Sequence, residues 1–219
     1  PLTSIRGFSQ TLLNSWDKID DENKKKFIQI ISDQSNRLIH LVENVLTVSK
    51  MNAGCEVLKK VDVNEVIKRI IPIFTEQYKT RKFVQKLNVN LPPAWIDEDK
   101  FQQILTNLID NAAKYSTEGK TVTIKTELAE NFVEIKIIDE GVGIKQEDFD
   151  KVFKKFSRLE NHLTSTTQGN GLGLYITKQL VEGMGGKINF TSELGKGTTF
   201  VVLMPVYNQE EVLRCSHKS

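Results

Sequence analysis

The pattern that most restricts the fold lies between residues 27 and 48. Phe27, Ile31, Gln34, Leu38, Leu41, Val45 and Val48 recur at spacings of 4-3-4-3-4-3, a heptad seam with one polar interruption. Ile28, Ile30, Ile39, Val42 and Leu46 widen that face beyond a two-stranded seam, so the helix needs more than one neighbour. Residues 1–13 supply one. Leu2, Ile5, Phe8 and Leu12 fall on one side of a helix that Pro1 can begin without losing a hydrogen bond. The Asp-rich stretch 14–23 reads as a loop ending in a helix N-cap, and Asn52-Ala53-Gly54 closes the long helix with a glycine. The reading is an antiparallel helical hairpin over residues 1–54. Its leftover apolar surface predicts a homodimer in which two hairpins form a four-helix bundle.

After Gly54 the character of the chain changes. A strand is expected over 56–61, then a helix capped by Asp62 and running to about Arg81, kinked at Pro72. Strands follow at 83–89, 121–127, 132–138, 187–192 and 198–204, with helices opening near Asp97 and Gly171. Helices interleaved with strand pairs predict a two-layer α/β sandwich over residues 55–206, built on a mixed, mostly antiparallel sheet. Residues 207–219 read as a mobile polar tail. A net charge of +2, with no basic run interleaved with aromatics, argues against nucleic acid. Cys55 and Cys215 lack metal-ligand spacing and fit a reducing compartment. No apolar run approaches the roughly 20 residues that span a bilayer, so membrane contact by this segment is not expected. The expectation is a cytoplasmic piece, beginning at Pro1, of a longer protein whose remaining parts could anchor it in a membrane.

Three stretches carry chemistry. In N-L-I-D-N-A-A-K-Y-S, residues 107–116, one helix face is apolar: Phe101, Ile104, Leu105, Leu108 and Ala112. Asn107, Asn111 and Lys114 stack beside it at i, i+4 and i+7, offering two amide oxygens suited to a hard cation and an ammonium suited to phosphate. A plain surface helix explains that stretch equally well when it is taken alone. Asp139-Glu140-Gly141-Val142-Gly143 follows a strand whose Val133, Ile135 and Ile137 point inward; a carboxylate there can accept from an exocyclic amine. Gly169-Asn170-Gly171-Leu172-Gly173-Leu174 opens a helix and is suited to anions, without the Walker or dinucleotide-binding context. Between the last two, residues 145–168 read as a mobile lid anchored by Phe149, Phe153 and Phe156.

In this order and spacing the stretches resemble the sensor histidine kinases of two-component systems. N-L-I-D-N-A-A-K-Y-S resembles their N box, and D-E-G-V-G-I, F-K-K-F-S-R and G-N-G-L-G-L resemble the G1, F and G2 boxes. G-K-G-T resembles the last glycine motif, P-L-T-S-I-R-G-F the end of the H box, and L-V-E-N-V-L-T-V-S-K-M-N-A-G the close of the dimerisation hairpin. The resemblance spans residues 1–206 and implies the ATP-binding fold shared with gyrase, chaperone and mismatch-repair ATPases, often called the Bergerat fold. It implies that Asn111 and Asn107 hold Mg²⁺, that Lys114 contacts phosphate, and that Tyr115 lies beside adenine. Asp139 would bind the adenine amine, with Gly141 and Gly143 shaping that wall and Thr198 lining the pocket. Gly169, Gly171, Leu172 and Gly173 would frame the triphosphate, and Arg158 would reach the γ-phosphate. ATP and Mg²⁺ are the implied ligands, and a response regulator's receiver domain the implied partner.

Position 107 separates transfer from hydrolysis. The resembling hydrolases carry glutamate four residues before the metal-binding asparagine, as a base for water. Asn107 cannot take a proton there, which favours transfer to a better nucleophile such as histidine. The resemblance puts the phosphoacceptor histidine five residues before Pro1, so no catalytic residue is expected within the chain. His40, His162 and His217 each have a structural or surface reading. Two alternatives stay open: a regulatory module that senses nucleotide without transfer, and a gyrase-like hydrolase that Asn107 disfavours.

Overall fold

The computed structural model describes residues 1–50, 57–157 and 171–208, which fall into two compact units, Pro1–Ala53 and Gly54–Ser219. The expected helix closure at Gly54, both cysteines, Arg158, Gly169, His162 and His217 lie outside the described residues, as does the side chain of His40.

The first unit is a helical hairpin of α1 (Leu2–Ser15) and α2 (Asp21–Lys50). The join is tighter than the loop expected over 14–23. A 3-10 turn at Trp16–Lys18 connects the helices, and the Asp20 carboxylate accepts the Asn23 N–H at 2.8 Å, satisfying an orphan donor at the start of α2. The apolar faces meet across the hairpin: the Phe8 and Phe27 ring centroids are 5.0 Å apart, and Leu12 is buried.

In the second unit β1 (Lys59–Val61) pairs antiparallel with β3 (Ala94–Ile96), beside a five-stranded sheet. That sheet is built from β2 (Lys82–Leu87), β4 (Thr121–Ala129), β5 (Phe132–Asp139), β6 (Lys187–Glu193) and β7 (Gly197–Pro205), in the order β2-β4-β5-β7-β6. Its pairings are antiparallel except β2 with β4, which run parallel. Strand alternation sets the inner face. Val122, Ile124 and Thr126 of β4, Val133, Ile135 and Ile137 of β5, and Phe200, Val202 and Met204 of β7 are buried. The outer face carries Lys125, Glu127, Glu134 and Lys136 in ion pairs.

Three helices carry the other half of that core: α3 (Val63–Gln77), α4 (Glu98–Tyr115) and α5 (Gly173–Gly183). Asp62 caps α3 by accepting from Asn64 N and Glu65 N. The helix runs unbroken through Pro72 and stops at Gln77, four residues short of the expected end. Arg81, released from the helix, serves α4 instead. Its Nε donates to Ala113 O (3.3 Å) and its Nη2 to Ser116 O (2.9 Å), capping the C-terminus of α4 with a cation. A buried polar knot joins α3 to the sheet. Asn64 Oδ1 accepts from Thr126 Oγ1 (2.9 Å), Asn64 Nδ2 donates to Asn88 O (2.8 Å), and Asn88 N donates back to Thr126 Oγ1 (3.0 Å). Each of these groups would cost roughly 1–3 kcal/mol if buried unpaired. Tyr207, read from sequence as the start of a mobile tail, is held: its N–H donates to Pro93 O, its ring lies 5.2 Å from Trp95, and Lys60 Nζ sits over its face.

Candidate functional site

The site is organised on α4. Phe101, Ile104, Leu105, Leu108 and Ile109 are fully buried, each contributing about 1.5–3 kcal/mol to holding the helix against the sheet. Asp97 caps the helix by accepting from Lys100 N at 3.1 Å, and Glu98 and Asp99 occupy its first turn. With one face anchored, helical geometry leaves Asn107, Asn111 and Lys114 half-buried on the neighbouring face.

Asn107 donates through Nδ2 to Thr177 Oγ1 of α5 at 2.7 Å. That bond uses one of the two amide N–H donors and fixes the amide's orientation, so that Oδ1 is the acceptor end, the oxygen type a hard cation takes. The start of α5 comes so close that a Cβ on Gly173 would collide with Asn107 Oδ1. Asn111 makes no side-chain hydrogen bond among the described residues. Lys114 pairs with Asp110 at 2.5 Å, and Asp110 also accepts from the Tyr78 hydroxyl at 2.6 Å. Burial, followed by that hydrogen bond to a carboxylate, raises the Tyr78 phenol well above its ordinary value. Among the described residues no group of three or more His, Cys, Asp or Glu side chains could hold a metal ion. On this face of α4 the oxygens of the type a hard cation takes are the amide oxygens of Asn107 and Asn111.

Asp139 forms the adjoining wall. It is the fourth inward residue of β5, one step beyond Ile137 in the alternation, and only 6% exposed. Its Oδ1 accepts from Gly141 N (2.9 Å) and Thr198 N (3.1 Å), while Oδ2 has no partner among the described residues. Burial raises its pKa from 3.8 to about 6, and the two N–H bonds work in the opposite direction. Gly141 lies against the end of α4: Ser116 bridges it, Val142 N donates to Tyr115 O at 3.2 Å, and a Cβ on Gly141 would strike that carbonyl. Gly143, at φ +68°, turns the loop against the Glu193–Leu194 backbone. The Ser116 hydroxyl is buried without a hydrogen-bond partner among the described residues.

The structure thus brings Asn107, Gly173 and buried Leu172 together at one end of the α4 face. Asp139, Gly141, Gly143, Thr198 and Tyr115 meet at the other, with Asn111 and Lys114 on the helix between them. Gly171 (φ +70°) packs on the Phe156–Ser157 backbone. Two of the three aromatics expected to anchor residues 145–168 do so: Phe149 and Phe153 lie 4.9 and 5.8 Å from the Phe190 ring. Phe156 does not; it is 68% exposed with φ +60°. The proposed lid beyond residue 157, with Arg158 and Gly169, lies outside the described residues.

Four positioning side chains escaped the sequence reading: Tyr78, Asp110, Thr177 and Ser192. Thr177 carried a signal, as a hydroxyl within the buried stripe Ile176, Leu180 and Val181. Ser192 carried none, because a serine near a strand end is unremarkable.

Known proteins match most of this chain. The family model described as "Histidine kinase-, DNA gyrase B-, and HSP90-like ATPase" matches residues 96–208. The "His Kinase A (phospho-acceptor) domain" matches residues 1–54. That second match leaves the expected lack of a phosphoacceptor in the chain without support. Sensor protein SrrB of Staphylococcus aureus is 33% identical over 213 residues, covering 94% of this chain and 36% of SrrB. The chain thus spans about a third of the length of the curated relatives it matches. Among solved structures, Acinetobacter baumannii histidine kinase AdeS superposes with a TM-score of 0.75 at 26% identity, covering 95% of this chain and 96% of that one. Histidine kinase ThkA, solved in complex with response regulator protein TrrA, shares the fold with a TM-score of 0.74 at 24% identity, covering 93% of this chain and 58% of that one. No helix among the described residues is long and apolar enough to cross a membrane. With the two domain models matching residues 96–208 and 1–54, and SrrB 33% identical over 94% of the chain, the chain belongs to the sensor histidine kinase family.

Proposed function

We propose that this chain binds Mg·ATP on α4 and transfers the γ-phosphoryl group to a histidine, from which it passes to an aspartate of a response regulator. The observation that carries the reading is Asn107. A neutral amide, already committed to Thr177 at 2.7 Å, occupies the position where the resembling hydrolases hold a general base. The site can hold and orient phosphate but has no group at that position to activate water.

In this reading Asp139 Oδ2 accepts from the adenine amine, Tyr115 flanks the base, and Thr198, Gly141 and Gly143 shape its wall. Lys114 exchanges Asp110 for phosphate oxygens. The α5 start, from Gly171 through Leu172 to Gly173, presents backbone N–H groups to the triphosphate. Gly169 and Arg158 complete the phosphate end. Mg²⁺ would be held by the Asn111 and Asn107 amide oxygens and would neutralise phosphate charge.

Residues 1–54 serve as the dimerisation and phosphotransfer hairpin, residues 55–206 as the catalytic domain and residues 207–219 as a polar tail. Exposed Ile28, Ile39 and Val42 on α2 supply apolar surface for a second copy. The receiver-domain partner is carried over from ThkA, which was solved with its own response regulator. Our candidate acceptor is the histidine that the resemblance places five residues before Pro1.

The test is incubation with γ-labelled ATP after the residues preceding Pro1 are restored. Label that is acid-labile, base-stable and mapped to that upstream histidine is the expected result. Release of inorganic phosphate with no labelled protein, or label on His40, overturns the reading.

A further inference from the structure

Ser192 stands outside every glycine motif, yet its hydroxyl ties together the segments around Asp139. Ser192 Oγ lies 2.8 Å from Ile144 N, 2.9 Å from Gly197 O and 2.9 Å from Thr198 Oγ1. A serine hydroxyl has one proton and two lone pairs. The Ile144 N–H can only donate and the Gly197 carbonyl can only accept. The Ser192 proton is therefore given to Gly197, and the contact with Thr198 is a hydrogen bond only if Thr198 donates its own proton. All three contacts are satisfied in this one assignment.

The consequence falls on Thr198. It is buried, its N–H is bound to Asp139 Oδ1 at 3.1 Å, and its hydroxyl proton is spent on Ser192. What Thr198 Oγ1 still offers is lone pairs. Asp139 Oδ2 beside it, once ionised, also offers lone pairs only. A ligand atom facing this wall must donate.

We propose that Ser192 is a specificity-determining residue: by fixing the polarity of the Thr198 hydroxyl it makes the base-binding wall accept-only. The wall then selects a purine with an exocyclic amine over one with a carbonyl at the same position. This rests on the nucleotide reading above and adds to it the residue that sets the discrimination. Adenine and hypoxanthine differ at two adjacent atoms of one edge, a C6 amine against a C6 carbonyl and an acceptor N1 against an N1–H, and it is the C6 group that the wall reads. A carbonyl there would leave two buried acceptors opposed to a third, the type of mismatch that polar pockets reject most strongly.

The experiment is calorimetric titration of Mg·ATP and Mg·ITP into the wild type, Ser192→Ala and Ser192→Thr. Wild type binds ATP more tightly than ITP. Ser192→Ala frees the Thr198 proton to turn toward the ligand, and the ATP-to-ITP preference narrows by about tenfold. Ser192→Thr keeps the hydroxyl and keeps the wild-type preference. A Ser192→Ala protein that weakens both nucleotides equally shows a merely structural serine and overturns the proposal. If Ser192→Ala does not fold, Thr198→Val serves instead: it removes the oxygen whose polarity is at issue and must narrow the same ratio, and an unchanged ratio overturns the proposal. Wild type that binds neither nucleotide overturns the nucleotide reading and this proposal with it. ATP binding with an unaltered preference overturns this proposal alone.

Discussion

At the scale of single residues, Asp139 shows function set against stability. Burial lifts its pKa from 3.8 to about 6, so the folded state holds this proton more tightly than the unfolded chain does. Stability from that preference is fully present below pH 3.8 and is lost as pH rises through about 6. Above that range the ionised carboxylate costs on the order of 3 kcal/mol. Asp139→Asn, which keeps an acceptor oxygen for Gly141 and Thr198, is expected to melt several degrees higher than wild type at pH 7.5. The difference should shrink to nothing by about pH 4 in thermal melts followed by circular dichroism. A variant less stable than wild type at pH 7.5 would contradict the assignment. This carboxylate was legible in the sequence because Val133, Ile135 and Ile137 alternate into it, and period 2 places the next inward side chain at Asp139. Ser192 was not legible: its hydroxyl serves Ile144, 48 residues away, and strand pattern says nothing of such a partner.

At the scale of elements, the site depends on how closely α5 approaches α4. Asn107 and Thr177 meet at 2.7 Å, and the lack of a side chain at Gly173 allows it. Gly173→Ala would put a methyl group on Asn107 Oδ1, pushing the amide out of position or the helix start away. We expect Mg·ATP affinity to fall about tenfold or more, with a much smaller change in melting temperature; isothermal titration beside a thermal melt checks both. Undiminished affinity would show that Asn107 Oδ1 plays no part. The stacking of Asn107, Asn111 and Lys114 could be read from sequence, since a helix fixes which residues share a face. The Asp110–Lys114 pair, four residues apart on one helix, was open to the same reading; the Tyr78 hydroxyl on Asp110 was not, because it comes from the end of α3, 32 residues away.

At the scale of the whole molecule, the helical hairpin and the α/β sandwich both followed from apolar periodicity, 3.5 in one and 2 in the other. The parallel pairing of β2 with β4 did not. Strand period carries no direction, and the two strands are joined through β3 and α4, a connection long enough to reverse the second strand. The Arg81 cap on α4 likewise waited on knowing where α3 stops. The central claim is that α4, the Asp139 wall and the start of α5 together form a Mg·ATP site. Calorimetric titration of Mg·ATP at pH 7.5 into wild type, Asn111→Asp and Asp139→Asn tests it most directly. The account predicts binding by wild type and a loss of at least about tenfold in each variant, with both variants folded. Undiminished binding in both folded variants would contradict it.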